Sequence, residues 1–110
     1  MGVNGVSEKD WKLYKSRIAD WQEKYMERLC KEYIELLSAG VLASDRFWSL
    51  HDRINKDKKK KGVVVQNSRS EMKFNILSLL REGAIGMSDL NGFSDELVQT
   101  MERLTSLSDE

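Results

Sequence analysis

SEKDWKLYKSRIADWQEKYMERLCKEYIELLS, residues 7–38, is the stretch whose reading decides the fold. Apolar residues recur at Trp11, Tyr14, Ile18, Trp21 and Tyr25 in alternating steps of three and four, and the row continues through Leu29 and Tyr33 to Leu36 and Leu37. Such spacing keeps side chains on one face of an α-helix, whereas a strand would scatter them over both faces. Ser7 with Asp10 forms an approximate capping box at the start. Glu8 with Lys12, Asp20 with Lys24 and Glu27 with Lys31 are i,i+4 pairs in the favourable order on the polar side. The expected element is one helix over about 8–38. A second row, Met26, Cys30, Ile34 and Leu37, widens the apolar face toward the C-terminal end, as expected where more than one partner helix packs on it.

That helix is long for its domain. Its 31 residues at 1.5 Å each span about 46 Å, against a diameter of roughly 34 Å for a compact chain of 110 residues. Either two shorter helices stack end to end along it, or another chain covers part of its seam.

Downstream, Gly40 is a natural left-handed C-cap, and Ser44 with Asp45 starts a second helix, about 45–60, bearing Phe47, Leu50 and Ile54 with Trp48 and His51 beside them. A lysine run closed by Gly62 ends it. Val63, Val64 and Val65 favour a strand, but no second strand is visible for them to pair with, so they read as an extended connector. Ser68 and Glu71 make a capping box for a third helix, about 69–82, carrying Met72, Ile76, Leu79 and Leu80 and capped by Gly83. A helical turn is expected near Ser88–Asn91. Ser94 then caps a fourth helix, about 95–105, with Leu97, Val98, Met101 and Leu104. Residues 1–6 read as a disordered leader and 107–110 as a frayed tail. The expected fold is all-α, a four-helix bundle-like single domain over 7–106 with one long N-terminal helix as its spine.

Composition agrees. The chain has no proline, is 40% hydrophobic, and balances 18 basic against 18 acidic residues, which excludes a disordered chain and favours helices. No run approaches the roughly 20 apolar residues of a membrane span, and no leader with an apolar h-region is present, so a cytoplasmic protein is expected. One cysteine and one histidine exclude an internal disulfide and a structural zinc site. The common phosphate, dinucleotide, hydrolase and metalloprotease signatures are missing. Asp89, Asn91 and Gly92 begin like a calcium loop, but Phe93 and Thr100 occupy the fifth and twelfth ligand positions. No cofactor is expected.

SEKDW at 7–11, GVVV at 62–65, IGMSDL at 85–90 and GFSDEL at 92–97 together resemble a group of small bacterial helical proteins, over nearly the whole chain. The resemblance implies a helical fold and brings no established activity, so it carries over no functional residue. Within the chain, Leu36–Leu42 matches Leu79–Ile85 at an offset of 43 residues, each ending a helix at a glycine. The same capping chemistry selected twice explains this as well as a duplication does.

Function reads as binding rather than catalysis. Seven of the nine aromatics lie in the first 48 residues. Trp11, Trp21, Tyr25 and Trp48 are the candidate anchors for a partner protein or for a homodimer through the first helix. The alternative is non-specific nucleic-acid binding through Arg53, Lys56, Lys58, Lys59, Lys60 and Lys61, in a segment (51–62) of net charge +4. No aromatics interleave those lysines to read bases. A Cys30, His51 and Asp52 nucleophile set is disfavoured, because His51 and Asp52 should diverge on their helix and Cys30 sits on an apolar row where a buried, inert thiol is expected.

Overall fold

The computed structural model describes residues 6–108. It contains helices α1 (Glu8–Leu37), α2 (Ala43–Asp57), α3 (Met72–Arg81) and α4 (Asp95–Ser108), with 3-10 turns at Arg69–Glu71 and Met87–Leu90. The fold is all-α with a long N-terminal helix, and among the described residues there is no strand. Among the same residues no helix is long and apolar enough to cross a membrane. The molecule measures 56 × 30 × 21 Å, and its 16.6 Å radius of gyration exceeds the roughly 13 Å of a compact chain this long. α1 causes the excess: its 30 residues run about 45 Å, and different elements cover its two halves.

The first half of α1 joins α3, α4 and the second 3-10 turn in what we call the body. Tyr14, Ile18 and Trp21 pack there with Met72, Ile76, Leu79, Ile85, Leu90, Phe93, Leu97 and Met101 in one buried cluster. Each fully buried side chain of this size contributes about 1.5–3 kcal/mol relative to an exposed one. The rings of Trp11 and Tyr14 stack at 5.9 Å, Tyr14 meets Trp21 at 6.4 Å, and Trp21 meets Phe93 at 6.2 Å. The buried amide of Asn75 is satisfied within the body. Buried Asn75 donates to Tyr14 Oη at 3.2 Å and to the Gln66 carbonyl at 3.1 Å, and Tyr14 donates to Asn67 at 3.3 Å, which fixes the connector onto the core.

Asp10 departs from its expected part. Ser7 Oγ does accept from the Asp10 amide at 3.1 Å, but the Asp10 carboxylate is buried and accepts from Ser94 N at 2.9 Å and Ser94 Oγ at 2.6 Å. It therefore ties the start of α1 to the start of α4, where Ser94 Oγ caps Leu97 as expected. Val6, assigned above to a disordered leader, is buried in the same core; residues 1–5 lie outside the described residues.

Other boundaries differ for local reasons. α2 starts at Ala43 with Leu42 at its N-cap and no side-chain cap, so Ser44 lies inside it. It ends at Asp57, so Lys59, Lys60 and Lys61 form a turn rather than a last helical turn. The Ser68–Glu71 box does not form: Ser68 Oγ lies 3.4 Å from Ser70 Oγ, and the first turn is 3-10. α4 runs through Ser108 instead of stopping near 105, so residues 107 and 108 of the expected frayed tail are helical; 109 and 110 lie outside the described residues.

The two similar helix ends also diverge. Gly83 has φ +76°, and Ala84 and Gly83 donate to the carbonyls of Leu79 and Leu80 at 2.9 and 3.2 Å, a Schellman cap that folds Ile85 into the core. Gly40 is not left-handed; α1 ends at Ser38 in right-handed geometry, with Val41 and Leu42 exposed. The 43-residue correspondence is thus not one device used twice.

Candidate functional site

The second half of α1 and α2 form a hairpin that projects from the body. A polar joint holds its base. Tyr33 donates to Asp57 Oδ2 at 2.7 Å, Arg53 Nε to the same oxygen at 2.9 Å, and Lys60 Nζ stands 3.3 Å from Oδ1. Arg53 also pairs with Glu32 and lies over the Tyr33 ring at 5.5 Å. Asp57 is the one buried residue of α2. Burial pushes its carboxyl up, but the Tyr33 hydrogen bond and the cations of Lys60 and Arg53 outweigh that and hold it below the usual range. Burial and the bond to Asp57 push the Tyr33 hydroxyl up to about 12.

Gly62 completes the joint. Its backbone lies so close to the Tyr25 ring that a Cβ would stand 2.2 Å from Cδ2, so no side chain fits there. The Glu82 carboxylate accepts from the Lys61 and Gly62 amides at 2.9 and 3.1 Å, and Gln22 donates to the Lys61 carbonyl at 3.1 Å. The chain after α2 is thereby bound to α1 and to the end of α3.

One face of the hairpin is open. An apolar groove of about 200 Å³ runs between the helices, lined by Met26, Leu29, Cys30, Tyr33, Ile54, Asp57, Lys58 and Val63. Toward the tip, Ile34, Leu37, Val41, Leu42, Phe47, Trp48 and Ile54 are each 41–71% exposed. On α1 these continue the row Met26, Cys30, Ile34, Leu37. On α2, Phe47, His51, Ile54 and Lys58 recur at helical spacing. Each helix thus turns one largely half-buried stripe toward the other and leaves a second stripe uncovered.

The proposed anchors fare unequally. Trp21 and Tyr25 are buried within the chain, which removes them as surface anchors, and Trp11 is half-buried against Tyr14. Trp48 is exposed, with Phe47 at 5.0 Å and His51 at 5.4 Å. Of the basic segment, Arg53 and Lys60 are engaged with Asp57, and the Lys61 ammonium lies 5.4 Å over the Phe74 ring. Lys56, Lys58 and Lys59 remain exposed.

Cys30 is exposed on the groove rather than buried, and His51 is not among the groove residues. His51 and Asp52 do not diverge as expected: their Nδ1 and Oδ1 atoms lie 3.4 Å apart on the surface, with Asn55 Nδ2 3.2 Å from His51 Nε2. Thiol and imidazole do not share one pocket. Among the described residues no three of His, Cys, Asp and Glu converge to hold a metal.

Sequence reasoning missed Leu37, Val41, Leu42, Phe47 and Ile54 as a surface. The signal was the second row on α1, which implied more than one partner helix where the chain supplies only α2. Compared with known proteins, the chain matches no family model, no curated protein and no solved structure.

Proposed function

We propose that the protein is a small helical interaction module that works through the open face of its α1–α2 hairpin, by self-association or by binding a partner protein. One observation carries this reading: seven large apolar side chains between Ile34 and Ile54 stand 41–71% exposed, while the body buries its own core. Taking about 200 Å² for a fully exposed side chain of this kind, they present on the order of 800 Å². That exceeds the roughly 300–600 Å² of the largest patch on a typical monomer. That much exposed apolar surface on one hairpin costs solubility unless something covers it.

The test places a photo-crosslinking amino acid at Leu42 or Phe47, and at the exposed Glu102 as control, in cells that make the protein. Adducts from the hairpin positions and none from Glu102 are the expected result. No adduct from either hairpin position would remove this reading. Nucleic-acid binding is the weaker reading, because internal ion pairs engage two of the six basic side chains and three stand exposed.

A further inference from the structure

Resting on that reading of the hairpin face, we infer that its occupant is a second copy of this chain, seated face to face with both tips at the same end, so that two hairpins close into a four-helix bundle. A hairpin with a second apolar stripe on each helix is half of such a bundle, and the missing half must present two matching stripes. A second copy does so by construction, since a two-fold interface asks only that one patch complement itself.

Area and charge agree with this occupant. The exposed side chains other than Trp48, which stands about 100° round α2 from Phe47, present on the order of 650 Å², within the roughly 600–1,000 Å² per partner of a standard stable interface. The chain carries 18 basic and 18 acidic residues, so two copies meet without net repulsion. The open stripes themselves are nearly uncharged: Met26, Cys30, Ile34 and Leu37 on α1, and Phe47, His51, Ile54 and Lys58 on α2.

The orientation follows from where the apolar surface lies. Ile34, Leu37, Val41, Leu42, Phe47 and Trp48 crowd the tip, whereas Lys56, Lys58 and Lys59 are at the base. A two-fold axis along the hairpin lays tip on tip and sets α1 of each copy beside α2 of the other. An axis across the hairpin would lay each apolar tip on the other copy's lysines and desolvate ammonium groups with no partner. The α1 residues of the body core end at Trp21, and the open row starts five positions later at Met26, about 140° further round α1, so the two rows look out on different sides of the helix.

The experiment uses the full chain. Light scattering across concentration is expected to give twice the monomer mass, and Leu37→Glu with Phe47→Glu, both at exposed sites, to weaken the dimer by at least about 100-fold while far-UV circular dichroism is unchanged. In a Cys30→Ser background, spin labels at Ser44→Cys are expected to lie closer to each other between copies than a Ser44→Cys label lies to a Lys59→Cys label on the other copy. The reverse order overturns the tip-to-tip arrangement. A monomer at 200 μM, on the order of the upper range for weak specific pairs, overturns the second copy. Hairpin crosslinks to a different protein would then still leave the docking face standing. A dimer untouched by the two glutamates overturns the second copy as the occupant of this face, and the crosslinks at Leu42 and Phe47 then decide the docking face by themselves.

Discussion

The body and the hairpin share one helix and are held by different forces. In the body, Tyr14, Ile18 and Trp21 are closed in by two helices and a turn, and the apolar residues of α3 and α4 meet them in a continuous core. In the hairpin one helix faces one helix, the single buried residue of α2 is an aspartate, and large apolar side chains face water. Two helices cannot enclose a core, since each can hide only the stripe that faces the other. Charge and hydrogen bonds at the base hold α2 in place, and the uncovered apolar surface is what such a joint leaves over. The well-buried part of the molecule thus serves as scaffold, and the proposed binding surface falls on its less buried part, as binding elements are drawn from regions of low local stability.

Substitutions in the two regions should separate sharply. Leu79→Ala, at a fully buried site, is expected to cost about 2–5 kcal/mol in urea unfolding, whereas Phe47→Ala, measured at concentrations that keep the chain monomeric, should change stability by within about 0.5 kcal/mol. Similar losses at both sites would erase the contrast. Gly62→Ala tests the seam between the regions. A methyl group forced into the Tyr25 ring should cost about 1–3 kcal/mol and raise hydrogen exchange in α2 before α3. Wild-type behaviour would show that the close approach constrains nothing.

Tyr33→Phe sharpens the contrast at the polar joint, with an expected loss of about 1 kcal/mol and a rise in the Asp57 pKa followed by carboxyl NMR. The pH dependence has two sides. Asp57 is held below its ordinary 3.8, so its carboxylate stabilises the fold above that pH, and the contribution is lost as pH falls through the lower folded value. Tyr33, at about 12 against an ordinary 10.0, stays neutral in the fold while the unfolded chain ionises, so stability falls as pH rises between those values. Ultraviolet titration should find Tyr33 ionising late; ionisation near 10 would contradict the geometry. The smallest effect is expected from Lys56, Lys58 and Lys59 replaced together by Gln. Stability should hold, and affinity for labelled duplex or single-stranded DNA or RNA at 50 and 200 mM salt should change less than about threefold. Steep salt-dependent binding that this variant abolishes would move the working surface to the base of the hairpin.

What could be read in the sequence was local. Helix spacing in α1, the Ser94 cap and the Gly83 ending depend on residues within a turn or two of each other, and all three appear where they were expected. Gly40 was misread because the same local pattern ends a helix in two ways, and whether the next aliphatic finds a core decides between them. Asp10 was misread, and the place of Asp57 was not legible, because their partners include Ser94, 84 residues away, and Tyr33, 24 residues away.

The sequence by itself determined that the chain is helical, that α1 is its spine, and that α1 carries more apolar surface than one partner helix covers, because period and length are properties of a segment alone. Only the tertiary structure decided which aromatics are core and which are surface. Trp21 and Trp48 are the same residue type on amphipathic helices, and what separates them is that α3 and α4 pack over one half of α1 and leave the hairpin beyond it open.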